Sequence, residues 1–129
     1  MRKSILVLAA LASLAGGASV ILLAVAAHGP AGPLLQTGAN LLLPHALATL
    51  GAVLAGLAAP QSCPWFLAAG WLLLLGSTIF CADLAFRALA ETRAFPMAAP
   101  LGGTLMILGW LQFTAGWLNV LLTKPRTEL

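Results

Sequence analysis

The chain has 129 residues, 61% of them hydrophobic and only 7% formally charged, with a mean hydropathy of +1.03. Soluble domains carry roughly 25% charged side chains, so this composition cannot cover a surface facing water, whatever the fold. The net charge of +3 is small, and Arg2, Lys3, Lys124 and Arg126 sit at the two ends. That distribution suits anionic headgroups flanking membrane spans and argues against a nucleic-acid surface.

Met1-Arg2-Lys3 precedes an apolar run from Ser4 to Ala27. A secretory signal would have an apolar region of about 7–15 residues, whereas about 20 are needed to cross a bilayer. The run is therefore expected to be a retained first span over 4–28. Gly29-Pro30-Ala31-Gly32-Pro33 reads as the start of a loop reaching to about Ala39. The second span is expected over 40–59, with Asn40 as its N-cap and Pro44 in its first turn. A start nearer Thr37 would leave Pro44 inside the helix, where it should kink it. Gly51 and Gly56, each one turn from an alanine, permit close helix contact in lipid.

Pro60-Gln61-Ser62-Cys63-Pro64 is a short turn, so spans two and three should be antiparallel neighbours. The third span is expected over 65–89 and the fourth over 98–122, separated by the polar segment Glu91 to Pro96. Gly102, Gly109 and Gly116 recur every seven residues and form a smooth stripe that should face another helix. The predicted architecture is all-α: one membrane domain, 1–129, folded as a four-transmembrane-helix bundle. Four Lys or Arg near the termini against two (Arg87, Arg93) on the other side predict cytoplasmic N and C termini.

Ionisable residues inside a span are costly and need an explanation. At about 1.5 Å per residue, Asp83 falls near the outer edge of a core about 30 Å thick. His45 and Thr104 enter the same third of the bilayer from that side, and His28 ends the first span there. The expectation is a polar intramembrane cluster of His28, His45, Asp83, Arg87 and Thr104. Asp83 and Arg87 stand i,i+4 with the acid first, the better order for a helical ion pair. The pair has a structural reading, a salt bridge locking the third span. It also has a functional one, a relay in which Asp83 and His45 titrate.

Cys63 and Cys81 should lie at opposite ends of the third span, too far apart for a disulfide. His28, His45, Cys81 and Asp83 are metal-ligand types without metal-ligand spacing, so neither metal nor cofactor is expected. Gln112 and Asn119 should hydrogen-bond across helices, and Trp65 and Trp117 should belong to an interfacial aromatic belt. No phosphate loop, nucleophile elbow, paired catalytic carboxylates or Cys-x-x-Cys occurs.

Ala27-His28-Gly29, Thr37-Gly38 and His45-Ala46-Leu47-Ala48 form one group of motifs. Gly76-Ser77-Thr78-Ile79-Phe80-Cys81-Ala82-Asp83-Leu84, Pro96 to Gly103 and Gly109-Trp110 form a second. In this order they resemble the domain-of-unknown-function 423 family. The resemblance implies a small four-helix bacterial inner-membrane protein, with His28, His45 and Asp83 at the family's motif positions. Leu23, Ala26, Leu41, Leu42 and Ala82 depart from residues common there.

The leading expectation is therefore a non-enzymatic bundle in the bacterial inner membrane. It would act structurally or as a partner for copies of itself or other membrane proteins. The alternative is an oligomeric proton-linked transporter or channel for a small solute, using His45 and Asp83.

Overall fold

The computed structural model describes residues 1–29 and 32–123. Lys124 and Arg126, half of the terminal charge count above, lie outside the described residues. Four helices follow in order: α1 (Arg2–Ala26), α2 (Gly32–Ala58), α3 (Cys63–Ala90) and α4 (Ala98–Leu122). A 3-10 turn, Pro60–Ser62, joins α2 to α3. All four are long and apolar enough to cross a membrane. A helix satisfies its own backbone, which is what hydrocarbon demands of any spanning segment.

Prolines mark the helix starts. Pro33 and Pro64 occupy the first turns of α2 and α3, where a missing N–H costs nothing. The seven residues 91–97 between α3 and α4 are framed by two left-handed residues that are not glycine, Glu91 (φ 52°) and Met97 (φ 69°). Each costs roughly 1–2 kcal/mol relative to a glycine, so the turn is held by contacts elsewhere.

The second helix differs from expectation. It begins at Gly32, eight residues before Asn40. The segment expected to be loop carries Leu35 and Ala39, both buried and one helical turn apart, in line with buried Leu42 of the expected span. Gly38 within it abuts Cys81 of α3. Burial of that stripe outweighs the loop signal of the Gly/Pro run, whose Gly32 and Pro33 open the helix. Pro44 consequently lies in the interior of α2, not in its first turn.

Each helix packs on the next in sequence, and α3 touches all three others. The helices α1 and α4 have no substantial contact with each other. Two seams define the register. Along α2–α3, Gly38 meets Cys81, Thr49 meets Gly70, and Gly56 meets Cys63. Along α3–α4, Gly102 meets Phe80, Gly109 meets Leu73, and Gly116 meets Phe66. Both partners in this second seam repeat every seven residues, so every second turn offers a side chain to a bare backbone. At its tightest point a Cβ on Gly76 would stand 2.7 Å from the Gly102 carbonyl, and one on Gly102 2.7 Å from that of Gly76. Only glycine at both positions allows that approach, which suits helix pairing in lipid, where van der Waals contact is a principal attraction.

Gly51 does not take part. A Cβ there would meet nothing within 4 Å, because it is turned away from the α2–α3 line on which Gly56 lies. The residues in close contact that spacing alone did not single out are Gly38, Gly70 and Gly76.

Candidate functional site

Two separate polar sites lie within the bundle. The first is the end of α3. Asp83 is fully buried and pairs with Arg87, one turn onward and 31% exposed. Its other carboxylate oxygen accepts the Ala94 N–H at 3.1 Å. One side chain therefore neutralises a cation and pins the turn to α4. Arg87 also suits the C-terminal end of a helix, where the dipole favours positive charge.

The second site is where α2 and α4 meet across α3. His45 is 8% exposed. Its Nδ1 lies 2.7 Å from the Leu41 carbonyl, and its Nε2 accepts the Trp110 indole N–H at 3.2 Å. A carbonyl can only accept and an indole N–H can only donate. Those partners assign the neutral imidazole with its proton on Nδ1. A second proton, on Nε2, would set two N–H groups against each other and break the tie to α4.

Below it an aromatic stack continues along α4. Trp110 and Phe113 have centroids 6.1 Å apart, Phe113 and Trp117 6.4 Å, and Phe66 of α3 meets both Phe113 and Trp117 edge-on. Ser62 donates to Asn119 at 2.8 Å, and Gln112 Nε2 reaches the Trp65 carbonyl at 3.4 Å.

The expected five-residue cluster does not form. By the α2–α3 register, His45 stands level with Leu74, nine residues from Asp83, or roughly 13 Å along the axis at about 1.5 Å per residue. The early start of α2 causes this, because it moves His45 from the outer third towards the middle of its span. Thr104 is exposed and donates to Pro100 on its own helix at 2.9 Å. His28 is exposed beyond the end of α1 and bonds the Ala24 carbonyl at 2.8 Å. Only Asp83 and Arg87 meet. Sequence reasoning missed Trp110 as the partner of His45. The available signal was an indole donor one residue from Gly109, on the helix whose glycine stripe fixes its distance from α3. It also missed Ala94, for which a backbone donor leaves no trace in residue type.

Among the described residues no three His, Cys, Asp or Glu side chains gather where a metal could bind. Cys63 and Cys81 are both free and buried, at opposite ends of the α2–α3 seam.

A protein-family model described as "Protein of unknown function (DUF423)" matches residues 22–103. The chain belongs to this family. Curated relatives are named UPF0382 membrane proteins. One from Staphylococcus epidermidis is 46% identical over 43 residues, covering 33% of this chain and 35% of the relative. One from Staphylococcus saprophyticus is 37% identical over 51 residues, covering 40% and 42%. The matched stretch thus spans well under half of these relatives' length. No solved structure matches.

Family membership and four apolar helices together make this an integral membrane protein with no assigned reaction. The DUF423 match takes in His28, His45, Asp83, Arg87 and the Gly76–Gly102 crossing. It stops before Trp110, Gly109 and Gly116, so the aromatic half of the α4 seam lies beyond the matched segment.

Proposed function

We propose that this chain is a non-enzymatic membrane module, one four-helix unit of a bacterial plasma membrane that serves structurally or as a partner for membrane proteins, its own copies included. The observation that carries the reading is the closure of its intramembrane polar groups. Asp83 is occupied by Arg87 and Ala94, and His45 by Leu41 and Trp110. A proton or solute relay needs titrating groups that reach one another or water. These two are roughly 13 Å apart along the axis; Asp83 ties α3 to the α3–α4 turn, and His45 ties α2 to α4. Among the described residues no hydroxyl or thiol hydrogen-bonds to a histidine ring or a carboxylate, which speaks against an enzyme. What the molecule offers its surroundings is apolar, chiefly the outward faces of α1 and α4, with Leu14, Ile21, Ile107 and Leu111 exposed. The staphylococcal origin of the relatives supports a bacterial plasma membrane. Arg2 and Lys3 at the start of α1, against Arg87 and Arg93 at the other face, are compatible with cytoplasmic termini once Lys124 and Arg126 are counted.

Proteoliposomes loaded with a pH-sensitive dye test this reading. No flux above empty vesicles is expected from mildly acidic to mildly alkaline pH, while cross-linking in the source membrane should give species larger than one chain. Flux that the parent supports and a folded, equally abundant Asp83→Asn/Arg87→Gln protein loses would overturn it.

A further inference from the structure

The turn between α3 and α4 forms a shallow, open cleft of about 750 Å³ lined by Arg87, Glu91, Thr92, Arg93, Phe95 and Pro96. Its charges are unusual in a chain this apolar. Asp83 answers Arg87 from behind. Glu91 and Arg93 remain, both exposed, and neither is in an ion pair among the described residues. Two opposite charges thus line one cavity without neutralising each other, and the four groups together sum to zero. Arg87 is 31% exposed beyond its pairing with Asp83, in a guanidinium that has five donors to place. The surroundings are greasy, with Phe86, Leu89, Phe95 and Met97 all exposed. A cleft that mixes charged and apolar side chains, with an apolar rim, at the end of two membrane spans, sits where headgroups meet hydrocarbon.

We propose that this cavity holds the headgroup of a zwitterionic phospholipid bearing a primary ammonium. Its phosphate lies against Arg93 and Arg87, and its ammonium against Glu91. Guanidinium donors match phosphate oxygens in charge and in forked geometry. A primary ammonium can donate hydrogen bonds to the Glu91 carboxylate, which a quaternary choline cannot. Choline is recognised by an aromatic cage, and the cavity has one aromatic side chain, Phe95. A purely anionic headgroup would leave Glu91 opposed to a like charge. The apolar rim selects a lipid over a free zwitterion of the same chemistry. The proposal is independent of whether the bundle docks with partners.

The test is native mass spectrometry of the full chain in detergent micelles, titrated with dioleoyl phosphatidylethanolamine, phosphatidylcholine or phosphatidylglycerol, and with chain-free glycerophosphoethanolamine as competitor. Retention of the ethanolamine lipid should exceed that of the other two by about fivefold, equivalent to less than one decade of affinity. Arg93→Gln should weaken all three lipids by about tenfold, the scale of one charge-assisted contact. Glu91→Gln should abolish the preference for ethanolamine over choline and leave choline-lipid binding unchanged. Both substitutions fall in an exposed turn, and circular dichroism checks that helix content is retained. Thermal protection of the unaltered protein by each lipid gives the same ranking without any variant. Equal retention of the three lipids, or variants that bind like the parent, overturns the proposal. Displacement of the lipid by glycerophosphoethanolamine at equal concentration overturns the lipid as the source and assigns the cavity to a soluble zwitterion.

Discussion

The first and last helices differ in how they are held, though little else separates them. Both α1 and α4 have 25 residues, and 17% of the most apolar stretch of each is buried, against 44% in α2 and in α3. Yet α4 is attached through its backbone. Gly102 touches Gly76 and Phe80, Gly109 touches Leu73, and Gly116 touches Phe66. Trp110, Asn119 and Gln112 add hydrogen bonds to three other segments. By contrast α1 is attached through side chains. Leu8 fills the notch over Gly70, with Ile5 and Ala12 beside it. The one interhelical bond of α1 among the described residues is Ser19 to the Ala39 carbonyl at 3.4 Å, long for a hydroxyl donor. Lipid tails are as apolar as leucine, so buried area by itself drives no pairing of spans. Two helices with equal burial can therefore be held very unequally.

The largest effect should come from the α4 seam. Gly102→Ala places a Cβ 2.7 Å from the Gly76 carbonyl oxygen and the Phe80 nitrogen. Neither obstacle is a side chain that could rotate away, so the helices must separate along the whole heptad row. A loss of about 3 kcal/mol is expected, the upper end for overpacking, measured as unfolding free energy by steric trapping in bicelles. Gly103→Ala, one residue on with nothing within 4 Å, is the control and should be silent. Equal behaviour of the two would mean that α4 is not held by backbone contact.

A smaller effect should separate the polar ties. A double-mutant cycle of His45→Ala and Trp110→Phe should give a coupling of about 1 kcal/mol, within the range for interhelical hydrogen bonds in lipid. Ser19→Ala should cost less, given its 3.4 Å bond. Coupling near zero between His45 and Trp110 would leave α4 resting on its glycine contacts and the bonds of Asn119 and Gln112.

How much of this the chain announces depends on the kind of signal. Four apolar helices are legible because hydrocarbon permits few alternatives, and nine charged residues leave no other solvent for the chain. The Asp83–Arg87 pair is legible because i,i+4 spacing brings two side chains together within one helix. Contacts between helices depend on register, and there the reading depended on one boundary. Counting the Gly29–Pro33 run and its sequel as loop placed His45 at the level of Asp83. With α2 starting at Gly32, His45 moves along the axis and finds Trp110 instead. The pairing of Phe66, Leu73 and Phe80 with Gly116, Gly109 and Gly102 was open to a search for matching seven-residue rows of opposite size. Gly51 shows the limit of such searches, since a glycine one turn from an alanine is compatible with an empty side of the helix.

The smallest effect in isolated protein should be Gly16→Ala and Gly17→Ala in α1, and it is the most informative about the membrane. Neither position has an atom within 4 Å of a new Cβ, and no glycine has positive φ among the described residues. The substitution therefore meets neither a clash nor a backbone conflict. In water such a change would favour a helix by about 0.5–1 kcal/mol. In lipid the separated spans stay helical, so most of that gain appears in both states and cancels, leaving a change within about 0.5 kcal/mol. A clear loss in bicelles would break the contrast between the outer helices, because α1 would then be held through its backbone as α4 is. Unchanged stability in bicelles together with reduced abundance in the source membrane would sharpen it. The bare backbone at Gly16 and Gly17 would then be the face against which another membrane helix packs, outside this chain's own fold.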